Sequence, residues 1–174
     1  MSAMRLTFLL AVVVFAASAV RADEAKKAEE AEPENGISVR LLSGFADEPG
    51  AEVNVIFGAG VAYERDFFDN LVAVEFALEA LAEPDATNLV AELVVEKPIE
   101  INDSLGLYLG AGPSAGVHVK DARIIPGGGG LALIGGEWFI AGGFEIFLEL
   151  DTAFLYFERP VVEADLGLGA LYRF

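Results

Sequence analysis

The chain has 174 residues and no cysteine, which excludes disulfides, thiolate metal sites and thiol nucleophiles. Its formal net charge of −17 argues against nucleic-acid binding, because phosphate binding needs a cationic face. The chain is nevertheless 54% hydrophobic, with a mean hydropathy of +0.48, although no apolar run beyond the N-terminal segment is long enough for a membrane-spanning helix. Apolar content diluted by alternation with small and polar residues is typical of a transmembrane β-barrel.

The first 22 residues predict a cleaved secretory signal peptide. Arg5 precedes an apolar run from Leu6 to Ala17, and cleavage is expected after Ala22 or Ala19. A membrane anchor is the alternative, but the apolar run is too short to cross a bilayer comfortably. Removing residues 1–22 takes away two of the 11 basic residues and leaves 9 against 28 acidic ones, a mature charge of −19.

The rest of the chain divides into a short tail and one β domain. Residues 23–36, DEAKKAEEAEPENG, are charged and Ala-rich and predict a flexible acidic tail. Residues 37–174 predict eight strands with apolar residues at every second position, the first two less regular than the others. The strands cover about residues 37–45, 55–64, 71–80, 88–96, 105–120, 131–140, 144–156 and 162–174, and the connections at one end of the barrel are 46–52, 83–87, a Gly-rich loop at 121–130, and 158–160.

The two faces of these strands predict which side meets lipid. From Leu71 onward one face carries no charge and includes Leu107, Leu148 and Leu168. A basic residue on a lipid face costs about 2–4 kcal/mol near the bilayer midplane, which would enforce such a rule. The opposite face is rich in glycine, which weakens a solvated strand but suits a narrow lumen. We therefore expect lipid on the apolar face and a lumen filled by the glycines and acidic residues.

Aromatic residues are expected to form two bands, as membrane interfaces select. If both termini lie at one end of the barrel, alternating strand directions divide the aromatic residues between the two ends. The predicted band at the terminal end contains Tyr63, Phe67, Phe68, Trp138, Phe139, Tyr172 and Phe174. The predicted band at the opposite end contains Phe45, Phe154, Tyr156 and Phe157.

The final strand, ADLGLGALYRF, alternates down to Tyr172 and the last residue, Phe174. Together with LGLYLGAGP at 105–113 and GGEWFIAGGFEIFLEL at 135–150, it makes residues 37–174 resemble the small OmpA/OmpX-like outer-membrane barrels. This resemblance implies an all-β, eight-stranded, antiparallel up-and-down transmembrane barrel in a Gram-negative outer membrane, with periplasmic termini. It implies two kinds of partner: outer-membrane lipids, and the barrel-assembly machinery, which would recognise Tyr172 and Phe174. The short connections depart from the long loops of adhesive members.

The residues give little support to catalysis. The only histidine, His118, shares its face with Ser114, but four residues of strand separate the two side chains by roughly 13 Å. Lys120 stands where lipid A deacylases of this architecture would carry a serine. The run GGGG at 127–130 lacks the Lys and Ser/Thr of a phosphate-binding loop, and no metal-ligand cluster or cofactor motif is evident. We therefore expect no enzyme activity and no cofactor.

The inward face is unusually acidic. The basic residues on this face are Lys120 and Arg173, and Arg40 is expected to join them from the first strand. The acidic residues on it are Glu75, Glu79, Glu92, Glu96, Glu137, Glu145, Glu149, Asp151, Glu163 and Asp165. Like charges that face each other in a narrow lumen are destabilising. A three-residue turn at 140–142 would place Glu137 opposite Glu145. The hypothesis is that Arg40 and Arg173, adjacent where the first and last strands close the barrel, form one ion network with Glu75, Glu137 and Glu145.

These expectations define a primary function and two alternatives. The primary reading is a monomeric, non-catalytic outer-membrane barrel with a structural, envelope-integrity or surface role, its lumen plugged by the acidic network. The first alternative is a narrow, cation-preferring, porin-like pore. The second is a soluble periplasmic barrel that carries an apolar ligand in a lipocalin-like cavity.

Overall fold

Strict alternation of apolar and small or polar residues produces a closed barrel of eight antiparallel strands in the computed structural model, which describes residues 35–47, 53–67 and 71–174. The predicted signal peptide and residues 23–34 of the predicted tail lie outside the described residues. The last two residues assigned to the tail, Asn35 and Gly36, instead begin the first strand. The strands are β1 (Asn35–Asp47), β2 (Asn54–Phe67), β3 (Val72–Ala82), β4 (Ala86–Asn102), β5 (Leu105–Lys120), β6 (Arg123–Ala141), β7 (Phe144–Tyr156) and β8 (Pro160–Arg173).

Each strand pairs with the next along the chain, and β1 closes the barrel against β8. The closing pairs run from Gly36 opposite Arg173 to Asp47 opposite Val162. This topology confirms the predicted fold class. The described residues contain no helix of the length and apolarity that crossing a membrane would need. The end that holds Asn35 and Phe174 is called the terminal end below, and the other the distal end.

The apolar face of the strands points away from the barrel axis. Leu107, Leu148 and Leu168 are 39%, 40% and 55% exposed, and large apolar side chains on all eight strands share this outward orientation. A soluble carrier would bury its apolar face around a ligand, so the lipocalin-like alternative is wrong for this chain. An outward apolar surface of this extent matches the lipid-facing band of a transmembrane barrel.

Beyond residue 120 the chain departs from the predicted Gly-rich loop. Only Asp121 and Ala122 form the turn, with φ values of 49° and 61°, and β6 begins at Arg123. The run IIPGGGG is therefore strand, paired throughout with β5 and from Gly128 onward also with β7. Glycine is needed at Gly129 because a Cβ there would collide with the Phe154 carbonyl oxygen of β7. Glycines therefore let the sheet curve tightly at this point.

Strand β4 is also longer than predicted. The expected end at residue 96 is where its pairing with β3 stops, at Ala73 opposite Glu96. The segment beyond it, KPIEIN, continues as strand against β5 alone, with an irregularity between Glu100 and Asn102. Pro98 is compatible with this position because an edge strand does not need its missing N–H for a second ladder.

The two predicted aromatic bands are largely present. At the terminal end the rings of Tyr172 and Phe174 stack with centroids 6.3 Å apart, and the Phe174 N–H donates to the Asn35 carbonyl oxygen. At the distal end Phe45 and Tyr156 lie opposite Val55 and Pro160. Two assignments differ: Phe157 packs on the interior cluster, and Phe139 lies opposite the inward-facing Glu145. Phe68 lies outside the described residues.

Candidate functional site

The barrel lumen gathers the buried polar residues because every second side chain of each strand points inward. A layer of apolar side chains that includes Tyr108, Phe147 and Leu155 packs beside them, and a second layer includes Leu42, Ile56 and Leu81. The buried polar side chains are Ser38, Arg40, Glu64, Glu75, Asn88, Glu96, Ser114, Glu137, Glu145, Glu149, Glu163 and Asp165.

Arg40 of β1 forms the first ion cluster, which spans the lumen. Its Nη1 donates to Glu149 Oε1 of β7 at 2.8 Å. Its Nε lies 2.8 Å from Glu79 Oε1, and its Nη2 lies 3.2 Å from Glu75 Oε1, both on β3. Glu92 Oε2 of β4 is more distant, 3.7 Å from Nη2. One guanidinium therefore links β1 to three other strands.

Arg173 of β8 forms the second ion cluster, at the terminal end. Its Nε donates to Glu145 Oε1 of β7 at 2.7 Å. Its Nη1 lies 2.7 Å from Glu64 Oε1 and 2.6 Å from Asp66 Oδ2, both on β2. Its Nη2 lies 3.8 Å from Glu137 Oε2 of β6. Charge-assisted bonds of this kind are stronger than those between neutral groups, and here they join four strands.

The residues of the hypothesised single network are divided between these two clusters. Arg40 contacts Glu75, whereas Arg173 contacts Glu137 and Glu145. The arginines are not adjacent: Arg40 lies opposite Gly169, and Arg173 lies opposite Gly36. Four residues of strand, about 13 Å, separate their positions along the seam.

The expected pairing of Glu137 with Glu145 is also corrected. Glu137 lies opposite Phe147, and Glu145 lies opposite Phe139. The register shifts between Phe139 and Ala141, and the turn falls on Gly142 and Gly143, whose φ values are 61° and 75°. The later position of the turn therefore offsets Glu137 from Glu145 by two residues, and the irregularity brings the two glutamates one residue closer than that turn alone would.

Sequence reasoning left several members of these clusters without an assigned partner. Glu79, Glu92 and Glu149 were recognised as inward acids but not as partners of Arg40. Glu64 and Asp66 were not counted among the inward acids at all. Their signal was present, because they continue the inward face of β2 beyond Gly58 and Gly60 with the same two-residue period.

A third polar network lies toward the distal end of the lumen. Asn88 is fully buried, and its Nδ2 donates to Glu163 Oε1 at 3.0 Å and to Glu83 Oε1 at 3.1 Å. The Asn88 Oδ1 is 2.7 Å from His118 Nδ1, whose ring packs against Phe157. His118 therefore caps the lumen. Within the described part of the chain, no group of three or more His, Asp or Glu side chains is arranged to hold a metal ion.

The lumen retains a cavity of about 20 Å³ between the two arginine clusters. Its walls include Glu75 and Glu149 from the first cluster and Glu64 and Glu137 from the second. A cavity that accepts one water needs roughly 10–15 Å³, so this one has room for about one small occupant. It is far too small for an apolar ligand of the kind a lipocalin carries.

The structural likeness of the chain is to small outer-membrane barrels. The crystal structure of Neisserial surface protein A (NspA) superposes with a TM-score of 0.69 at 11% identity, over 83% of this chain and 100% of that one. Ail of Yersinia pestis gives 0.59 at 20% identity, over 83% and 100%. OprG of Pseudomonas aeruginosa gives 0.56 at 11% identity, over 82% and 97%.

Comparisons of the sequence alone find no related family or protein. No protein-family model matches the chain, and no curated protein matches it in sequence. At identities below 25% the likeness concerns the fold. The chain therefore has the small eight-stranded β-barrel fold of the outer-membrane proteins NspA, Ail and OprG, with an outward apolar surface and a buried polar lumen.

Proposed function

We propose that this chain is a closed, non-catalytic outer-membrane barrel with a structural or envelope-integrity role. The observation that carries the proposal is the filled lumen. Arg40 and Arg173 draw carboxylates from opposite walls together, and the cavity between the clusters measures about 20 Å³. We expect a barrel tied across its interior in this way to have no continuous water-filled path of the kind that porins use.

Export, orientation and assembly form part of the same proposal. Residues 1–22 act as a cleaved signal peptide, and the termini face the periplasm. The distal end, with its two-residue turn at Asp121–Ala122, faces the cell exterior and offers little surface for adhesion. The barrel-assembly machinery recognises the last strand through Tyr172 and Phe174, which lie side by side at the terminal end. The protein works as a monomer surrounded by lipid.

Membrane recordings test the closed lumen. Purified barrel is inserted into planar bilayers, with a porin of known conductance as the positive control. The proposal expects no channel steps above the lipid background. In cells, a deletion strain should become more sensitive to detergent and to large antibiotics, and the wild-type gene should restore resistance. Normal resistance of the deletion strain would contradict the envelope-integrity role, and regular channel steps would contradict the closed lumen.

The acidic surplus favours one second candidate, a narrow cation-preferring pore. Glu92, Glu96 and Asp165 line the lumen in excess of what two arginines neutralise, and acidic walls attract cations. This candidate expects conductance steps with a reversal potential near that of the cation in a salt gradient. Steps without cation preference, or no steps, eliminate it.

A further inference from the structure

The outward face of the strands carries two basic side chains, and both lie at the terminal end. Arg65 of β2 shares this face with the exposed Tyr63 and Phe67, and Lys97 of β4 shares it with Val95. No other basic residue of the described strands has this orientation. A basic side chain on the lipid face is costly near the bilayer midplane and costs little near an interface. The two positions therefore mark the level of the membrane interface at the terminal end.

Both cationic groups lean toward the start of β3, the strand that lies between β2 and β4. The Arg65 guanidinium lies over the Phe67 ring, 5.5 Å from its centroid, and Phe67 is the residue opposite Val72. The Lys97 Nζ donates to the Leu71 carbonyl oxygen at 3.0 Å. Leu71 and Val72 are consecutive, so the two positive charges converge on one short segment of the outer surface.

The register of the strands sets the distance between the two residues. Arg65 lies opposite Val74, and Val74 lies opposite Val95. Lys97 is therefore two strands across and two residues along from Arg65, which is about 12 Å between Cα atoms at standard strand spacings. Long basic side chains that lean toward each other span such a gap around one anionic group. Arg65 and Lys97 therefore form one site.

The surroundings of the pair restrict its ligand. Two positive charges favour an anion, and arginine and lysine both bind phosphate oxygens well. The neighbouring surface is apolar, because Leu71 and Val95 are 55% and 54% exposed. A free anion would use only the charges, whereas a lipid with an anionic headgroup would use the charges and the apolar surface together. The site therefore fits an anionic phospholipid.

We propose that Arg65 and Lys97 hold the phosphate of one anionic phospholipid in the leaflet at the terminal end, with its acyl chains along β3 and β4. The depth agrees with Tyr63, whose hydroxyl donates to Asn35 Oδ1 at 2.7 Å and so keeps its polar tip at the interface. The inference rests on the proposed placement of the barrel in a membrane, and it adds the class of lipid that the outer wall selects.

Native mass spectrometry of the purified barrel in detergent, titrated with phosphatidylglycerol, tests the site. The wild-type barrel should retain one phosphatidylglycerol more tightly than it retains phosphatidylcholine. A basic residue near a membrane surface contributes about fivefold to the affinity for anionic lipid, so Arg65→Gln and Lys97→Gln should each weaken binding about fivefold, and the double variant about 30-fold. The control Lys120→Gln/Arg123→Gln removes the same two charges at the distal end and should retain the wild-type affinity.

Three outcomes would overturn the inference. Equal affinity of the wild type and Arg65→Gln/Lys97→Gln contradicts the site, and an equal loss in the distal control shows that net charge alone attracts the lipid. Displacement of the lipid by excess inorganic phosphate shows that the site takes a free anion. Because binding is measured in detergent, its failure leaves the placement of the barrel in a membrane intact. The amount of barrel in the outer-membrane fraction of cells tests that placement separately.

Discussion

Replacing Arg40 by methionine tests whether the first ion cluster stabilises the barrel. Methionine preserves much of the apolar stem of arginine but removes the guanidinium. Glu79 and Glu149, each 2.8 Å from it, and Glu75 at 3.2 Å would then be left as buried charges without a counter-ion. Removing one partner of a buried ion pair costs about 3–5 kcal/mol. We therefore expect the free energy of unfolding of Arg40→Met to fall by about that amount.

A variant of the partner residue, Glu149→Gln, distinguishes the loss of ion pairs in Arg40→Met from a simple change in packing. Glu149→Gln leaves Arg40 paired with Glu79 and Glu75, so its cost should be smaller. The double variant Arg40→Met/Glu149→Gln leaves one fewer unpaired buried charge than Arg40→Met alone. Its loss of free energy of unfolding should therefore be smaller than the sum of the losses in the two single variants. For groups in direct contact the expected coupling is about 0.5–3 kcal/mol.

Urea unfolding of vesicle-refolded barrel is the assay, followed by fluorescence of the single tryptophan, Trp138, and by comparison of boiled with unboiled samples on gels. Lys120→Met is the matched control, because Lys120 is exposed and has no ion-pair partner in the described part of the chain. It should change stability by no more than about 0.5 kcal/mol. If Arg40→Met is as stable as this control, the carboxylates around Arg40 do not carry the charge that the argument requires.

Three further predictions concern the outer face, the assembly signal and the glycines. In urea titrations Leu168→Arg should cost about 2–4 kcal/mol, while Ile124→Arg, near the distal end of β6, should cost about 0–1 kcal/mol. Phe174→Ser should lower the amount of folded barrel in the outer-membrane fraction of cells, with little effect on refolding in vitro; unchanged amounts would contradict recognition through this residue. Gly129→Val should prevent refolding on gels, whereas Gly136→Ala, whose new methyl meets Leu107 Cδ2 at an ordinary 3.4 Å, should refold.

The fold was predictable because it depends on a local signal. A two-residue period decides which face of a strand is apolar, and it is read within a few neighbouring residues, as in Leu166, Leu168 and Ala170 against Gly167 and Gly169. The direction of the apolar face followed from composition rather than period, because glycine on the opposite face is unfavourable in water and useful in a narrow lumen. Both inferences were confirmed by the outward exposure of Leu168.

The course of β6 was not predictable from the same signal. Glycine carries no side chain, so the run GGGG at 127–130 shows neither apolar nor polar period and reads as a loop. In the barrel it is strand because β5 pairs with all four glycines and β7 pairs with Gly128–Gly130 on the other side. Tertiary pairing overrides local propensity here, and that pairing is not encoded within the segment itself.

The division into two ion clusters was hidden for a different reason. Which inward residues meet across the lumen depends on the stagger of the strands, and one irregularity shifts every contact beyond it. The turn at Gly142 and Gly143, later than the expected 140–142, placed Glu137 opposite Phe147 and not opposite Glu145. Residue types and faces were readable from the sequence, whereas heights along the barrel axis required the coordinates.

The positions of the two arginines give the polar lumen a role in closure. Arg40 lies on the first strand and Arg173 on the last, the two strands that must meet to close the barrel. Their bonds to Glu149 and Asp66 join residues 109 and 107 positions apart, so both form only when distant strands are already in place. Apolar side chains in the lumen would stabilise any collapsed arrangement of the strands, whereas these bonds require one register of strand pairing. The surplus of acidic residues in the lumen is thus consistent with a role in closure. Arg40 and Arg173, each shared among four strands, specify a single closed arrangement of the barrel.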